Sequence, residues 1–287
     1  MSSAPQRIAP IGVFDSGVGG LTVLHELLVA LPQEDFVYLG DSARFPYGDR
    51  TARELQDFSR QIADVLLARG AKLIVVACNS ATSGALADLQ AHVAASAHPV
   101  DVIGVVGPES NLAVVTTRNG RVGLLATPAT VATGAYERAV LTADPLVRLA
   151  SVACPELAQI SQTGAPITER DVEIVRAYCA PLREAGVDTV ILGCTHYPFV
   201  RALLQRVLGP GISLITSGTA IARRVEHALA ARDLETAHVG EGRYDFLCTG
   251  DAAAFAEVGT RFLQLPVGAV EHVDLGPVGP LPTEALA

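Results

Sequence analysis

Two short aliphatic runs, each ending at a cysteine and each leading into a helical pattern, constrain this chain more than any other feature. The first is Lys72–Ser83 (KLIVVACNSATS) and the second is Asp188–Val200 (DTVILGCTHYPFV). An apolar run this short, bounded by small and hydroxyl residues, predicts a buried strand, and the periodic stretch after it a crossover helix. Ligands of open α/β sheets sit just outside the carboxyl ends of the strands. Cys78 and Cys194 thus stand where chemistry is expected, in matching contexts. Two equivalent thiols converging on one small substrate suit a reaction that needs an acid and a base of the same kind. Racemisation leads that list.

The same alternation runs along the chain. Strands are expected at Ile11–Asp15, Phe36–Gly40, Leu73–Ala77, Val100–Val105, Val122–Ala126, Val147–Val152, Thr189–Gly193, Ile212–Thr216 and Tyr244–Thr249. Amphipathic helices such as Leu21–Leu31, Thr51–Arg69 and Asp171–Ala185 lie between them. This predicts an α/β fold with mostly parallel sheets flanked by helices. The halves repeat loosely: Ile11–Phe14 and Val122–Leu125 each begin one, and a strand-end cysteine follows each after a similar interval. Two pseudo-symmetric lobes are therefore expected, with the site in the cleft between them. The first takes residues 1–101 and, where the chain returns, 213–275; the second takes 102–212. The Pro- and Gly-rich stretch 276–287 reads as a loose tail.

With 49% hydrophobic and 18% charged residues in 287, the chain can fill cores of this size and does not read as disordered. No apolar run approaches the ~18 residues a membrane span needs, and MSSAPQRIAP lacks the apolar region of a signal peptide. A cytoplasmic protein with no membrane partner is expected. A net charge of −9 argues against a nucleic-acid surface. It also means that an acidic ligand must be held by local N–H groups against the global field. The five cysteines include no C-x-x-C pair and read as free thiols. Cys194-x-His196 is the one close Cys/His grouping, so no metal site is expected.

Other residues near strand ends are candidates for the site. A helix N-terminus after Cys78 (Asn79–Val93) and after Cys194 (Pro198–Leu208) would lower each thiol pKa by less than about one unit, leaving a mixed thiol/thiolate population. Taken alone, a cysteine there reads as a small hydrophobe; the matched pair reads as chemistry. Asp15 and Ser16 open the glycine-rich turn DSGVGG, which can wrap N–H groups around an anion or serve only as a capped tight turn. It is not a dinucleotide fingerprint, because Thr22 replaces the third glycine. Pro46–Tyr47–Gly48 is a turn signal that would expose a phenol and backbone amides. His196 would polarise Cys194, bind a carboxylate or cap a helix.

Assembled, the segments IGVFDSGVGGLTVL (Ile11–Leu24), YLGDSARFPYG (Tyr38–Gly48), VACNSATS (Val76–Ser83) and LGCTHYPF (Leu192–Phe199) resemble the glutamate racemases. These belong to the cofactor-independent aspartate/glutamate racemase superfamily. Ser217–Val225 and Val270–Leu275 fit the resemblance as well. It implies Cys78 and Cys194 as paired proton donor and acceptor, with Cys78 serving D-glutamate and Cys194 L-glutamate. It implies substrate contacts from Asp15, Ser16, Tyr47, Gly48, Asn79, Ser80, Thr195 and His196. It also implies no cofactor, a homodimer, and a supply of D-glutamate for peptidoglycan. The chain departs from the pattern at Ser80, where threonine is usual, at Gln162, where glutamate is expected, and at Thr216, where aspartate is commoner.

The chemistry would remove the Cα proton on one face and return it on the other, with Asn79, Ser80, Thr195 and nearby N–H groups as donors to the enediolate. Aspartate racemisation is the nearest alternative, since one methylene is worth only ~1–3 kcal/mol of discrimination. A Cys–His hydrolase would use only Cys194, and a non-catalytic binding protein would need neither thiol.

Overall fold

A computed structural model describes residues 4–276. Residues 277–287 of the expected tail lie outside the described residues. The order is α1 (Ala4–Arg7), β1 (Ile11–Asp15), α2 (Leu21–Ala30), β2 (Phe36–Gly40), α3 (Ala52–Ala68), β3 (Leu73–Val76), α4 (Asn79–Ala94) and β4 (Asp101–Gly104). Helix α5 (Val106–Thr116) crosses to β5 (Arg121–Ala126), α6 (Pro128–Ala132), α7 (Ala135–Ala143), β6 (Arg148–Ala153) and α8 (Leu157–Thr163). Then come α9 (Glu169–Glu184), β7 (Thr189–Gly193), α10 (Arg201–Leu208) and β8 (Ser213–Ile215). Helix α11 (Ser217–Ala231) returns to β9 (Tyr244–Cys248), α12 (Ala252–Leu263) and β10 (Val270–His272).

The strands form two sheets, ordered β10-β9-β2-β1-β3-β4 and β6-β5-β7-β8, with every pairing parallel. Within each sheet the first four strands of a half are laid down as second, first, third, fourth. The loose repeat seen in sequence is thus a repeat of topology. Parallel strands covered on both faces must be apolar on both, and alternate residues divide accordingly. Ile11, Val13, Leu73 and Val75 face α2, α11 and α12, whereas Phe14, Ile74 and Val76 face α3 and α4. In the second sheet Val190 and Leu192 face one core and Ile191 the other.

Three expectations are revised. Strand β4 continues through the boundary set at 101/102, and β8, beyond 212, pairs with β7 in the second sheet. The crossings therefore lie at α5 and α11, because pairing rather than composition decides where a strand belongs. Strand β10 extends the first sheet and was not expected; at three residues, largely exposed, it has no apolar run to announce it. Cys194 does not open an α-helix. Residues 194–196 form a turn, a 3₁₀ turn follows at Tyr197–Val200, and α10 starts only at Arg201.

Candidate active site

Cys78 and Cys194 line one cavity of about 300 Å³ at the carboxyl ends of β3 and β7. Ser16, Tyr47, Gly48, Asn79, Ser80, Thr195 and His196 share the lining. Each sheet thus delivers one thiol to the same space. Asp15 does not line it. Its buried carboxylate accepts from Gly17 N at 3.1 Å, closing its own turn, and from Thr195 Oγ1 at 3.3 Å, reaching across to the other half.

The glycines of that turn serve close approach. A Cβ on Gly19 would collide with Thr195 Oγ1 and the His196 ring, so the turn and the 194–196 segment touch only because the side chain is absent. Cys78 is the N-cap of α4, and its Sγ accepts from Ala81 N at 3.5 Å. Ser80 Oγ joins Thr127 Oγ1 at 3.0 Å and Thr130 Oγ1 at 3.2 Å, a hydroxyl cluster bridging the two halves. The Tyr47 phenol is buried rather than exposed as expected. It donates to Asp41, which also holds Arg44 Nε at 2.6 Å and Thr249 Oγ1 at 2.7 Å. The turn packs its ring inward against Phe58, leaving Gly48 close against Thr127 in the cavity wall.

His196 Nδ1 stands 3.9 Å from Cys194 Sγ and 3.3 Å from Thr195 Oγ1. Its Nε2 meets Gln162 Oε1 at 3.1 Å, and Phe45, tilted, and Phe262, edge-on, pack against the ring. A neutral amide at 162 offers no charge to an imidazolium, so Gln162 fixes the ring without charging it.

The sequence profile of the Asp/Glu/hydantoin racemases matches residues 12–225. The chain belongs to that family. A glutamate racemase of Beutenbergia cavernae is 42% identical, with 89% of each chain covered. Among solved structures, a glutamate racemase from Bacillus anthracis matches with a TM-score of 0.88 at 34% identity, covering 94% of this chain and 98% of that one. One from Francisella tularensis, in complex with D-glutamate, matches with a TM-score of 0.86 at 30% identity over the same shares.

For a racemase of this family the electrostatic state of the thiols matters most, and it overturns an expectation. Burial, then the Asp15 charge, pushes Cys78 up to about 12 against the small help of Ala81 N–H and Ser16. Burial likewise raises Cys194, despite the His196 backbone N–H. Desolvating a thiolate outweighs a helix terminus worth only ~0.3–1 kcal/mol. Both thiols are therefore protonated in the ligand-free racemase, with no mixed population. Burial, then Arg261, brings His196 down to about 4, so it is neutral. A Cys–His hydrolase needs the opposite, an ion pair at 194–196.

Thr127, Pro128, Phe45, Asp49, Pro155, Ala158 and Gln159 also line the cavity without having been site candidates from sequence, and Pro46 joins them from the expected turn. Thr127 had a signal: it follows β5 as Ser16 follows β1, and it caps α6 ahead of Pro128. Pro155 and Ala158 had none. Among the described residues no group of three or more His, Cys, Asp or Glu side chains could hold a metal ion, and no helix is long and apolar enough to cross a membrane.

Proposed function

We infer that this chain interconverts L- and D-glutamate by proton transfer at Cα between two cysteines. The observation that carries the reading is the pair of strand-end thiols, one from each sheet, lining a single cavity of amino-acid size. Glutamate is favoured over aspartate by its relatives, glutamate racemases at 34% and 42% identity over most of the chain. The product D-glutamate would go to peptidoglycan, with the protein working in the cytoplasm as a homodimer.

Catalysis has to begin from two neutral thiols. A bound amino acid brings its ammonium into the cavity, and a cation beside a buried thiol lowers the cost of its thiolate. As substrate enters, one thiol gives up its proton to solvent; its thiolate then takes the Cα proton while the opposite thiol gives its own to the other face, so the pair holds one proton before and after the transfer. Cys78 would serve D-glutamate and Cys194 L-glutamate. Charge that develops on the carboxylate can be met by N–H groups at the start of α4, by Ser80 Oγ and by Thr195. Asn79 contributes its backbone; its side-chain nitrogen is engaged elsewhere.

The test follows each enantiomer of glutamate in D2O by circular dichroism and mass spectrometry, with aspartate alongside. Deuterium at Cα with loss of optical activity is expected for glutamate. Cys78→Ser and Cys194→Ser should each lower racemisation by about 10²–10⁴-fold, the usual worth of a positioned acid or base. A variant of either cysteine with wild-type turnover would overturn the mechanism.

A further inference from the structure

Behind the cavity wall lies a carboxylate that the mechanism does not use. Glu109, on α5, is fully buried and does not line the cavity. Three elements supply its partners. Asn79 Nδ2, from the start of α4, donates to both of its oxygens at 3.3 and 3.1 Å. Tyr136 Oη, from α7, donates to Oε2 and accepts from Asn79 Nδ2 at 2.7 Å. Ser217 Oγ, from the first residue of α11, donates to Oε1. Both crossing helices and both sheets' helices thus meet on one carboxylate.

That carboxylate dictates which way the Asn79 amide faces. An ionised carboxylate only accepts, so the amide must turn its nitrogen inward. The oxygen is the amide atom outside that network: Asn79 Oδ1 is buried with no partner, in a residue that lines the cavity. A buried acceptor without a donor is destabilising unless a ligand supplies one. The one donor group of a zwitterionic amino acid is its ammonium. Resting on the racemase reading above, we propose that Glu109 is a positioning residue, which holds the Asn79 amide so that its oxygen accepts the substrate ammonium.

The proposal has a pH signature. Burial pushes Glu109 up to about 7, against the pull of Ser217, Tyr136 and Asn79. Tyr136 is the titratable group in contact with it, and stays neutral; β7 and β8 turn Ile191 and Ile215 toward α5. Above that pH the ionised group fixes the amide. Below it, the carboxylic acid can donate to Asn79 Oδ1, and the amide is free to turn its nitrogen to the cavity, against the ammonium. Glu109→Gln imitates the protonated state at every pH.

KM and kcat for D- and L-glutamate would be measured from pH 6 to 9 in wild type, Glu109→Gln and Ser217→Ala, with thermal melts alongside. Wild-type KM should rise as pH falls through about 7. Glu109→Gln should hold the high value throughout, about tenfold above wild type at pH 8, with kcat changed less. Ser217→Ala removes a donor that favours the ionised form, so its inflection should move to higher pH; this variant decides the matter if Glu109→Gln fails to fold. A KM in Glu109→Gln equal to wild type, with only the melting temperature or active fraction lowered, would make Glu109 merely structural. A wild-type KM with no inflection would overturn the proposal too. No turnover of glutamate by wild type would sink the racemase reading first, and the proposal with it.

Discussion

At the scale of single residues, the decisive quantity is the free energy of charging a buried thiol. Cys78 and Cys194 sit where the backbone favours a thiolate and the surroundings forbid one, and the surroundings win. Resting protonated, the two thiols are interchangeable as acids, which suits a reaction run in both directions. The expected consequence is low reactivity in the free protein. Since the Cys78 value lies near 12, its alkylation by iodoacetamide should climb about tenfold per pH unit from 7 to 10, where a free cysteine would level off near 8.5. Mass spectrometry of the peptides holding Cys78 and Cys194 reads this directly. A plateau below pH 9 would mean that the thiols are activated before substrate arrives. The identity and placement of these residues were legible in the sequence because strand-end position is written in hydrophobic pattern. Their ionisation was not, because depth of burial depends on what the other half of the chain lays over them.

At the scale of elements, the site is held together by backbone contacts that only glycine permits. The turn after β1 and the turn after β7 meet at Gly19, and His196 cannot move aside, being fixed by Gln162, Phe45 and Phe262. Gly19→Ala should therefore cost about 1–3 kcal/mol of stability, as overpacking does. Its turnover should fall further than its folded fraction, because the intruding methyl displaces Thr195 and His196. Melting and steady-state rates on the same preparation separate the two, and wild-type kcat in Gly19→Ala would show that this contact does not set the site. In the sequence the DSGVGG turn read as an anion cradle or a capped turn, because composition records small residues but not which neighbour comes close. The helix after Cys194 was misplaced for a similar reason. Pro198 looks like a first-turn proline, yet the chain first spends a turn and a 3₁₀ turn before α10 begins.

At the scale of the whole molecule, two copies of one strand order face each other, and the first is enlarged by β9 and β10. The repeat was legible because each copy begins and ends on similar residues; the crossings were not, because pairing partners far apart in sequence decide them. The strand ends far from the cavity hold a buried ion pair. There Lys72, just ahead of β3, donates to Glu34 Oε2 at 2.6 Å, Arg7 O at 2.7 Å and Leu234 O at 2.9 Å, tying three distant segments under the first sheet. Both side chains are buried, so removing one strands the other's charge. Lys72→Met should destabilise the protein by about 3–5 kcal/mol. Adding Glu34→Gln should restore much of the stability, since the amide oxygen can still accept from Thr236 N, which now meets Glu34 at 2.8 Å. Racemisation per folded molecule should stay constant across all three proteins, because the pair lies at the opposite end of β3 from Cys78. Denaturant titrations with parallel rate measurements decide this. A single variant no less stable than wild type, or a double variant worse than the single, would show that the buried pair does not anchor the first sheet.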